Sequence, residues 1–219
     1  MKHTIEGNPD YGQLTLVLGP GEKILAESGA MSWMSEGMVA TARMLGGLGK
    51  ALFRKLAGGE SFFVVEYEHP TGGSITLSPY APGTVAHRTL RGETFTLTGS
   101  SFLACTPGIT MSTLFGGMKS LFSGEGAFFL KCEGTGELYY NTFGAMLEKQ
   151  VDGTFIVDSG HVVAWDQSLT YTIQGMGGLK STLLSGEGLA LKFTGVGKVY
   201  LQTRTISGTA SWLTPFNRT

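Results

Sequence analysis

Charge is scarce in this chain: 15% of its 219 residues are Asp, Glu, Lys or Arg, against about 25% in ordinary soluble domains. So little polar cover predicts that part of the surface is buried by self-association. The net charge of −1 excludes a basic field, and with it nucleic acid as the main partner. Only two cysteines are present, Cys105 and Cys132, without metal-ligand spacing and each inside an apolar, strand-like run. That excludes a disulfide framework and predicts buried, reduced thiols in a cytoplasmic protein. No stretch approaches the roughly 18 uncharged apolar residues needed to span a bilayer. Met1 to Glu6 contains no apolar core of the kind a secretory signal carries.

Glycine, by contrast, is abundant, with 34 residues, more than twice the usual share of about 7%. Seven of these glycines sit in a cassette that occurs three times. Gly46-Gly47-Leu48-Gly49-Lys50-Ala51-Leu52-Phe53 returns as Gly116-Gly117-Met118-Lys119-Ser120-Leu121-Phe122, then as Gly177-Gly178-Leu179-Lys180-Ser181-Thr182-Leu183-Leu184. A Gly-Glu pair follows each copy: Gly59-Glu60, Gly124-Glu125 and Gly186-Glu187. Repetition at a spacing of roughly 60 to 70 residues predicts one β-rich unit present three times in a single body. The expected units are about 13–90, 91–153 and 154–205, with a tail at 206–219.

Between the cassettes the pattern is that of strands. Gln13 to Leu18 alternates before Gly19-Pro20-Gly21, and Lys23 to Ser28 resumes it. Phe62 to Tyr67 and Ser74 to Leu77 flank His69 to Gly73, read as a hairpin bend. Thr84 to Leu90 and Thr94 to Thr98 follow, joined by Arg91-Gly92-Glu93. Ala127 to Glu133 and Glu137 to Thr142 meet at Gly134-Thr135-Gly136, matched by Leu189 to Thr194 and Lys198 to Thr205 around Gly195-Val196-Gly197. Both are expected to be hairpins, as is Asp152-Gly153, a strong turn signal. Ala26-Glu27-Ser28-Gly29, Cys105-Thr106-Pro107-Gly108 and Val157-Asp158-Ser159-Gly160 are read as turns closing a strand at one common point of the unit. The expected helix lies between Met38 and Leu56, where Leu45, Leu48, Leu52 and Leu56 share a face. Gly46, Gly47 and Gly49 should leave it short or broken.

The three cassettes, together with Ala26-Glu27-Ser28-Gly29-Ala30-Met31-Ser32-Trp33 and the run from Phe155 to Trp165, resemble the AIM24 family (the former DUF124 group) over about Gln13 to Arg204. The resemblance implies an all-β fold like that of the tryptophan RNA-binding attenuator, with antiparallel sandwich units about a pseudo-threefold axis. It also implies a cytoplasmic bacterial or archaeal protein of uncertain function. Fungal relatives are mitochondrial, but the Arg- and Ser-rich transit peptide of that location is missing from the start of this sequence. The family supplies no agreed catalytic residues.

Read for chemistry, the residues point away from an enzyme. His3, His69, His87 and His161 are scattered and fall at no metal-ligand spacing. Asp158, Ser159, His161 and Asp166 are sequence neighbours, whereas a catalytic triad is a geometry between separate elements. Gly49-Lys50 and Gly197-Lys198 lack the earlier glycine and the following Ser or Thr of a phosphate loop. No cofactor and no metal is expected. The candidate binding residues are Gly46, Gly47, Lys50, Gly116, Gly117, Lys119, Gly177, Gly178 and Lys180, because glycine-flanked backbone N–H groups beside an ammonium can hold an anion. Glu60, Glu125 and Glu187 are the possible charge partners that would satisfy those lysines internally instead. The apolar ends of the cassettes either close the core or form an exposed crown. The leading expectation is a non-enzymatic, homo-oligomeric scaffold or interaction module. Its alternative is a module for a small ligand, anion or lipid headgroup. A protein partner or an anionic membrane surface would be met through 38–56, where four basic residues occur without an acid.

Overall fold

The structure, a computed structural model, describes residues 1–44, 63–115, 128–175 and 189–216. The chain is predominantly β and antiparallel. Its strands are β1 (Lys2–Glu6), β2 (Gln13–Leu18), β3 (Lys23–Glu27), β4 (Met31–Met34), β5 (Val39–Met44), β6 (Phe63–Glu68) and β7 (Gly73–Leu77). They continue with β8 (Val85–Thr98), β9 (Phe102–Cys105), β10 (Ile109–Phe115) and β11 (Phe128–Asn141). The last are β12 (Met146–Asp158), β13 (Val162–Asp166), β14 (Thr170–Gly175) and β15 (Leu189–Gln202), followed by a short helix α1 (Ile206–Leu213). One sheet runs β1-β2-β7-β4. The other runs β12-β15-β13-β8-β11-β9-β3-β6-β5, with β10 on β11 and β14 on β15.

Several expected hairpins are not hairpins. Gly134 and Gly195 lie inside single long strands, β11 and β15, and Gly92 and Gly153 lie inside β8 and β12. β8 pairs with β11 along its length, with a register shift between Glu133 and Thr135. β12 pairs with β15 from Met146↔Gln202 to Asp158↔Ala190, Gly153 opposite Gly195. The glycines adopt positive φ (Gly92 101°, Gly134 119°, Gly153 97°, Gly195 128°), a state that bends a strand without ending it. Apolar alternation resumes on both sides of such a kink, so periodicity alone reads it as a turn. The expected unit boundaries at 90/91 and 153/154 fall within β8 and β12, and the chain changes direction instead near 78–84 and 142–145.

At the same place among the first strands, the chain does break. Gly19-Pro20-Gly21 separates β2 from β3, and His69 to Gly72 separates β6 from β7, with the Gly21 and Gly72 N–H groups both donating to His69 O. Yet β6 and β7 do not form the expected hairpin with each other. β7 pairs with β2 and β6 pairs with β3, as the two halves of a ribbon cut in the middle.

The Met38–Leu56 helix also fails where it can be checked. Val39 to Met44 is β5, paired with β6 from Val39↔Glu68 to Met44↔Phe63. Val39 and Thr41 are β-branched, and Arg43 Nε and Nη2 each donate to Glu66 at 2.9 Å across the pair, so this stretch takes the strand period. Residues 45–56 lie outside the described residues. The helix that is described is α1 in the tail, where Thr205 Oγ1 accepts from the Gly208 N–H at 3.0 Å as an N-cap.

The core is three adjoining apolar clusters. One gathers Leu14, Leu16, Ile24 and Ile75, with Leu103, Ala104 and Tyr139 from β9 and β11. The middle one gathers Phe95, Leu97, Phe102 and Leu138, with Val163, Ala164 and Tyr200 from β13 and β15. The third gathers Val151, Trp165, Leu191 and Phe193. Cys105 and Cys132 are buried and unpaired, and burial pushes the Cys132 thiol up to about 12. Neither is a nucleophile at neutral pH.

Gly134 and Gly92 share a positive φ but not a surrounding. A Cβ on Gly134 would run into the Gly108 carbonyl oxygen, while one on Gly92 meets open space. Gly92→Ala is expected to cost about 1 kcal/mol from backbone strain alone, and Gly134→Ala at least about twice that. Urea unfolding of the two variants checks this, and equal losses would contradict it.

Candidate functional site

Every residue of the three glycine-lysine cassettes singled out above (Gly46, Gly47, Lys50, Gly116, Gly117, Lys119, Gly177, Gly178, Lys180) lies outside the described residues, as do Glu60, Glu125 and Glu187. What the structure does describe is the framework on either side of them. The cassettes connect β5 to β6, β10 to β11 and β14 to β15, three antiparallel pairs whose last described partners are Met44↔Phe63, Phe115↔Phe128 and Gly175↔Leu189. The strand after the second and third cassettes also pairs a short strand further along, β11 with β9 and β15 with β13, whereas after the first it is β7, the strand following β6, that pairs with β4.

The correspondence extends to single hydrogen bonds. The Ser74 N–H donates to Ser35 Oγ at 2.9 Å, the Glu137 N–H to Thr106 Oγ1 at 2.9 Å, and the Lys198 N–H to Asp166 Oδ2 at 3.0 Å. Three different side chains, just past β4 and β9 and at the last residue of β13, clamp the same point of the neighbouring strand. This corrects the sequence alignment of the turns. Ala26 to Gly29 and Val157 to Gly160 follow β3 and β12, whereas Cys105 to Gly108 follows β9, one strand later. The counterpart of Cys105-Thr106 is Met34-Ser35 and Trp165-Asp166. The sequence hides this because Ser, Thr and Asp share only an acceptor oxygen.

Two polar clusters bridge successive parts of the chain. His87 Nε2 bonds Glu137 Oε2, Thr89 Oγ1 donates to the same oxygen at 2.9 Å, and the His3 ring lies 4.3 Å from the His87 ring. His87 also stacks on Tyr139 at 5.0 Å. Burial opposes the Glu137 charge, but the bonds from His87 and Thr89 outweigh it and hold the carboxyl below its ordinary value. Partial burial, with His87 beside it, lowers the His3 imidazole against the pull of Glu137. β1 brings His3 here by pairing with β2, a placement no local motif announces. In the second cluster, Arg88 Nη1 donates to Asp166 Oδ1 at 3.2 Å and to the Tyr200 hydroxyl at 3.1 Å, with its guanidinium 4.1 Å over the Phe95 ring.

These groups are occupied with one another. His161 Nδ1 bonds Gln202 O at 2.7 Å, and Asp158 Oδ1 accepts from the Gly160 N–H at 2.7 Å, so the Asp158-Ser159-His161 stretch serves its own turn. His69 Nε2 bonds Glu36 O at 2.8 Å. Among the described residues no group of three or more His, Cys, Asp or Glu is placed to hold a metal ion. A shallow groove of about 530 Å³ is lined by Glu6, Tyr11, Gln13, Ser78 and Tyr80 among others. It carries a carboxylate and no cation, which does not suit an anion. No helix among the described residues is long and apolar enough to cross a membrane.

Glu27 stands apart. It has no hydrogen-bond or ion-pair partner for its carboxylate among the described residues, and burial raises it to about 7. A carboxyl raised in the fold binds its proton more tightly folded than unfolded, so stability is lost as pH rises from about 4.5 towards 7. Glu27→Gln should therefore stabilise the protein by about 1–3 kcal/mol at pH 8, and leave it unchanged at pH 4. Thermal unfolding at the two pH values checks the sign. For His3 the direction is opposite: a lowered imidazole favours the neutral ring in the fold, so acidification below about 6.5 loosens β1. Amide exchange of Ile5, corrected for its intrinsic rate, should accelerate from pH 7 to pH 5, and His3→Phe should abolish the acceleration.

The family model described as "Mitochondrial biogenesis AIM24" matches residues 3–204. The uncharacterised protein M6_Spy0233 of Streptococcus pyogenes serotype M6 is 30% identical over 212 residues, covering 93% of this chain and 86% of its own length. The crystal structure of protein SPYM3_0169 from Streptococcus pyogenes superposes with a TM-score of 0.82 at 28% identity, over 98% of this chain and 99% of that one. Those relatives carry no described activity. With a family model running from strand β1 to the end of β15, the chain belongs to the AIM24 family.

Proposed function

We propose that the protein is a non-enzymatic interaction module built of three successive β-sandwich units, in the manner of the tryptophan RNA-binding attenuator fold. The units are approximately 13–83, 84–144 and 145–204, and each offers one glycine-lysine connection to a partner. The observation that carries this reading is that the three cassettes connect the same pair of strands in each unit and leave them at matched ends. Repeating one connection three times on one scaffold produces avidity for a partner with repeated features, whereas a catalytic centre needs differentiated groups. The polar clusters at His87–Glu137 and Arg88–Asp166 are satisfied internally: the first holds β1 to the middle unit through His3, and the second joins the middle unit to the last. A cytoplasmic location and a protein partner belong to the same reading.

Replacing Lys50, Lys119 and Lys180 together by Ala tests it. Partner capture is expected to fall at least tenfold while the unfolding midpoint moves by less than about 2 °C. Unchanged capture would refute the reading. The second reading, an anion or lipid headgroup held between the cassette backbone and its lysine, rests on the same Gly-Gly-Lys triplets. It requires that millimolar phosphate, or vesicles rich in an anionic lipid, raise the midpoint of the native chain and not of the triple variant.

A further inference from the structure

Two strand junctions join the parts of this chain, and they share one register. β9 pairs with β3 through Leu25↔Cys105 and Ala26↔Ala104. β13 pairs with β8 through Thr96↔Trp165, Leu97↔Ala164 and Phe95↔Asp166. In each, the short strand of one unit adds to the free edge of the long strand of the unit before it. The short strands are aligned by their own sheets: Met34, Cys105 and Trp165 face Ile75, Leu138 and Val199. One residue is skipped at the same point in all three, between Met31 and Trp33, opposite Tyr139 and Tyr140, and between Val162 and Ala164. The long strands align as well, since Leu25, Thr96 and Ile156 face Glu66, Lys131 and Lys192.

Two halves of such a junction remain unused. β4 ends one sheet, bound on one side to β7, and β12 ends the other, bound on one side to β15. Both leave an edge without a strand partner among the described residues. β4 is Met-Ser-Trp-Met and the relevant half of β12 is Thr-Phe-Ile-Val, stretches without a charge. Their counterparts at the internal junctions are buried, Ala104, Cys105, Ala164 and Trp165 among them, while Trp33 is 59% and Ile156 48% exposed. An uncharged, apolar strand edge is a template for another strand. Elsewhere the molecule covers these same positions with a strand of its own.

We propose that a second copy of this chain completes the junction: β4 of one copy adds antiparallel to β12 of the next, with Met34 opposite Ile156, Trp33 opposite Val157 and Ser35 opposite Phe155. The contact joins two different surfaces, so it is heterologous, and copies either close in a ring or extend. The occupant is a second copy because the two edges are complementary halves whose register the chain itself shows twice. The inference rests on the unit correspondence behind the proposed function and not on the glycine-lysine cassettes.

The test mixes two single variants, Met34→Cys and Ile156→Cys, under mild oxidation. Directly opposed residues of an antiparallel pair lie within disulfide reach, and the native Cys105 and Cys132 are buried. The mixture is expected to yield a covalent dimer on a non-reducing gel, and neither variant alone should. Light scattering of the unmodified chain should give at least twice 23.2 kDa, falling to one chain in Ile156→Lys, with unchanged circular dichroism. No cross-link on mixing, with a fast-running cross-linked monomer from the double variant, would overturn the proposal in favour of closure within one chain. No cross-link in either, or a monomer at high concentration, would overturn it outright. A retained cross-link with partner capture lost in the Lys50, Lys119 and Lys180 variant would separate this interface from the proposed function.

Discussion

The architecture depends on one demand, that the backbone of each long second strand be hydrogen-bonded on both edges. β11 and β15 each face a long strand along one side, and two shorter strands divide the other side between them. The ribbon passes from one short neighbour to the next at a glycine with positive φ, where the pleat bends and the strand changes sheet partners. Pairing a strand of fourteen residues along both edges leaves little freedom for the rest. The short strands, the connecting turns and the side-chain clamps at Ser35, Thr106 and Asp166 follow from that requirement.

The first seven strands show how tolerant the scheme is. There both long strands are cut, at Gly19 to Gly21 and at His69 to Gly72, yet β2 still faces β7 and β3 still faces β6. His69 collects both breaks through its carbonyl oxygen. The cut frees the two halves to belong to different sheets, and β1 then adds to β2 at the outer edge. The side-chain cement is more varied: His3 of β1 against the His87 and Tyr139 stack beside Glu137 on one side, an arginine held by Asp166, Tyr200 and Phe95 on the other. One backbone pattern accepts different chemistry at its seams because the strands, not the side chains, set the spacing.

Strand composition, the triplicated cassette, the buried cysteines and the membership of the AIM24 family were legible from residues alone. Alternation located β2, β3 and β7 within a residue, because β2 and β3 each bury one face and β7 alternates in polarity, Thr76 lying between Ile75 and Leu77. Its failures were of one kind. Gly92, Gly134, Gly153 and Gly195 read as turns, since a kinked strand and a hairpin have the same apolar pattern on either side. Arg43 and Val39 were drawn into a helix by leucines further along.

Local chemistry thus determined which segments are extended, where glycine is needed, and that one glycine-lysine cassette occurs three times. Tertiary structure alone decided that the glycines continue strands, that Ser35, Thr106 and Asp166 do the same work, that His3 meets His87, and that β4 and β12 have open edges among the described residues. The physical reason is range. Propensity and periodicity act within about ten residues, whereas strand partners here lie up to 80 residues apart, as at Leu25↔Cys105, and are chosen by which edges remain unsatisfied once the others have paired.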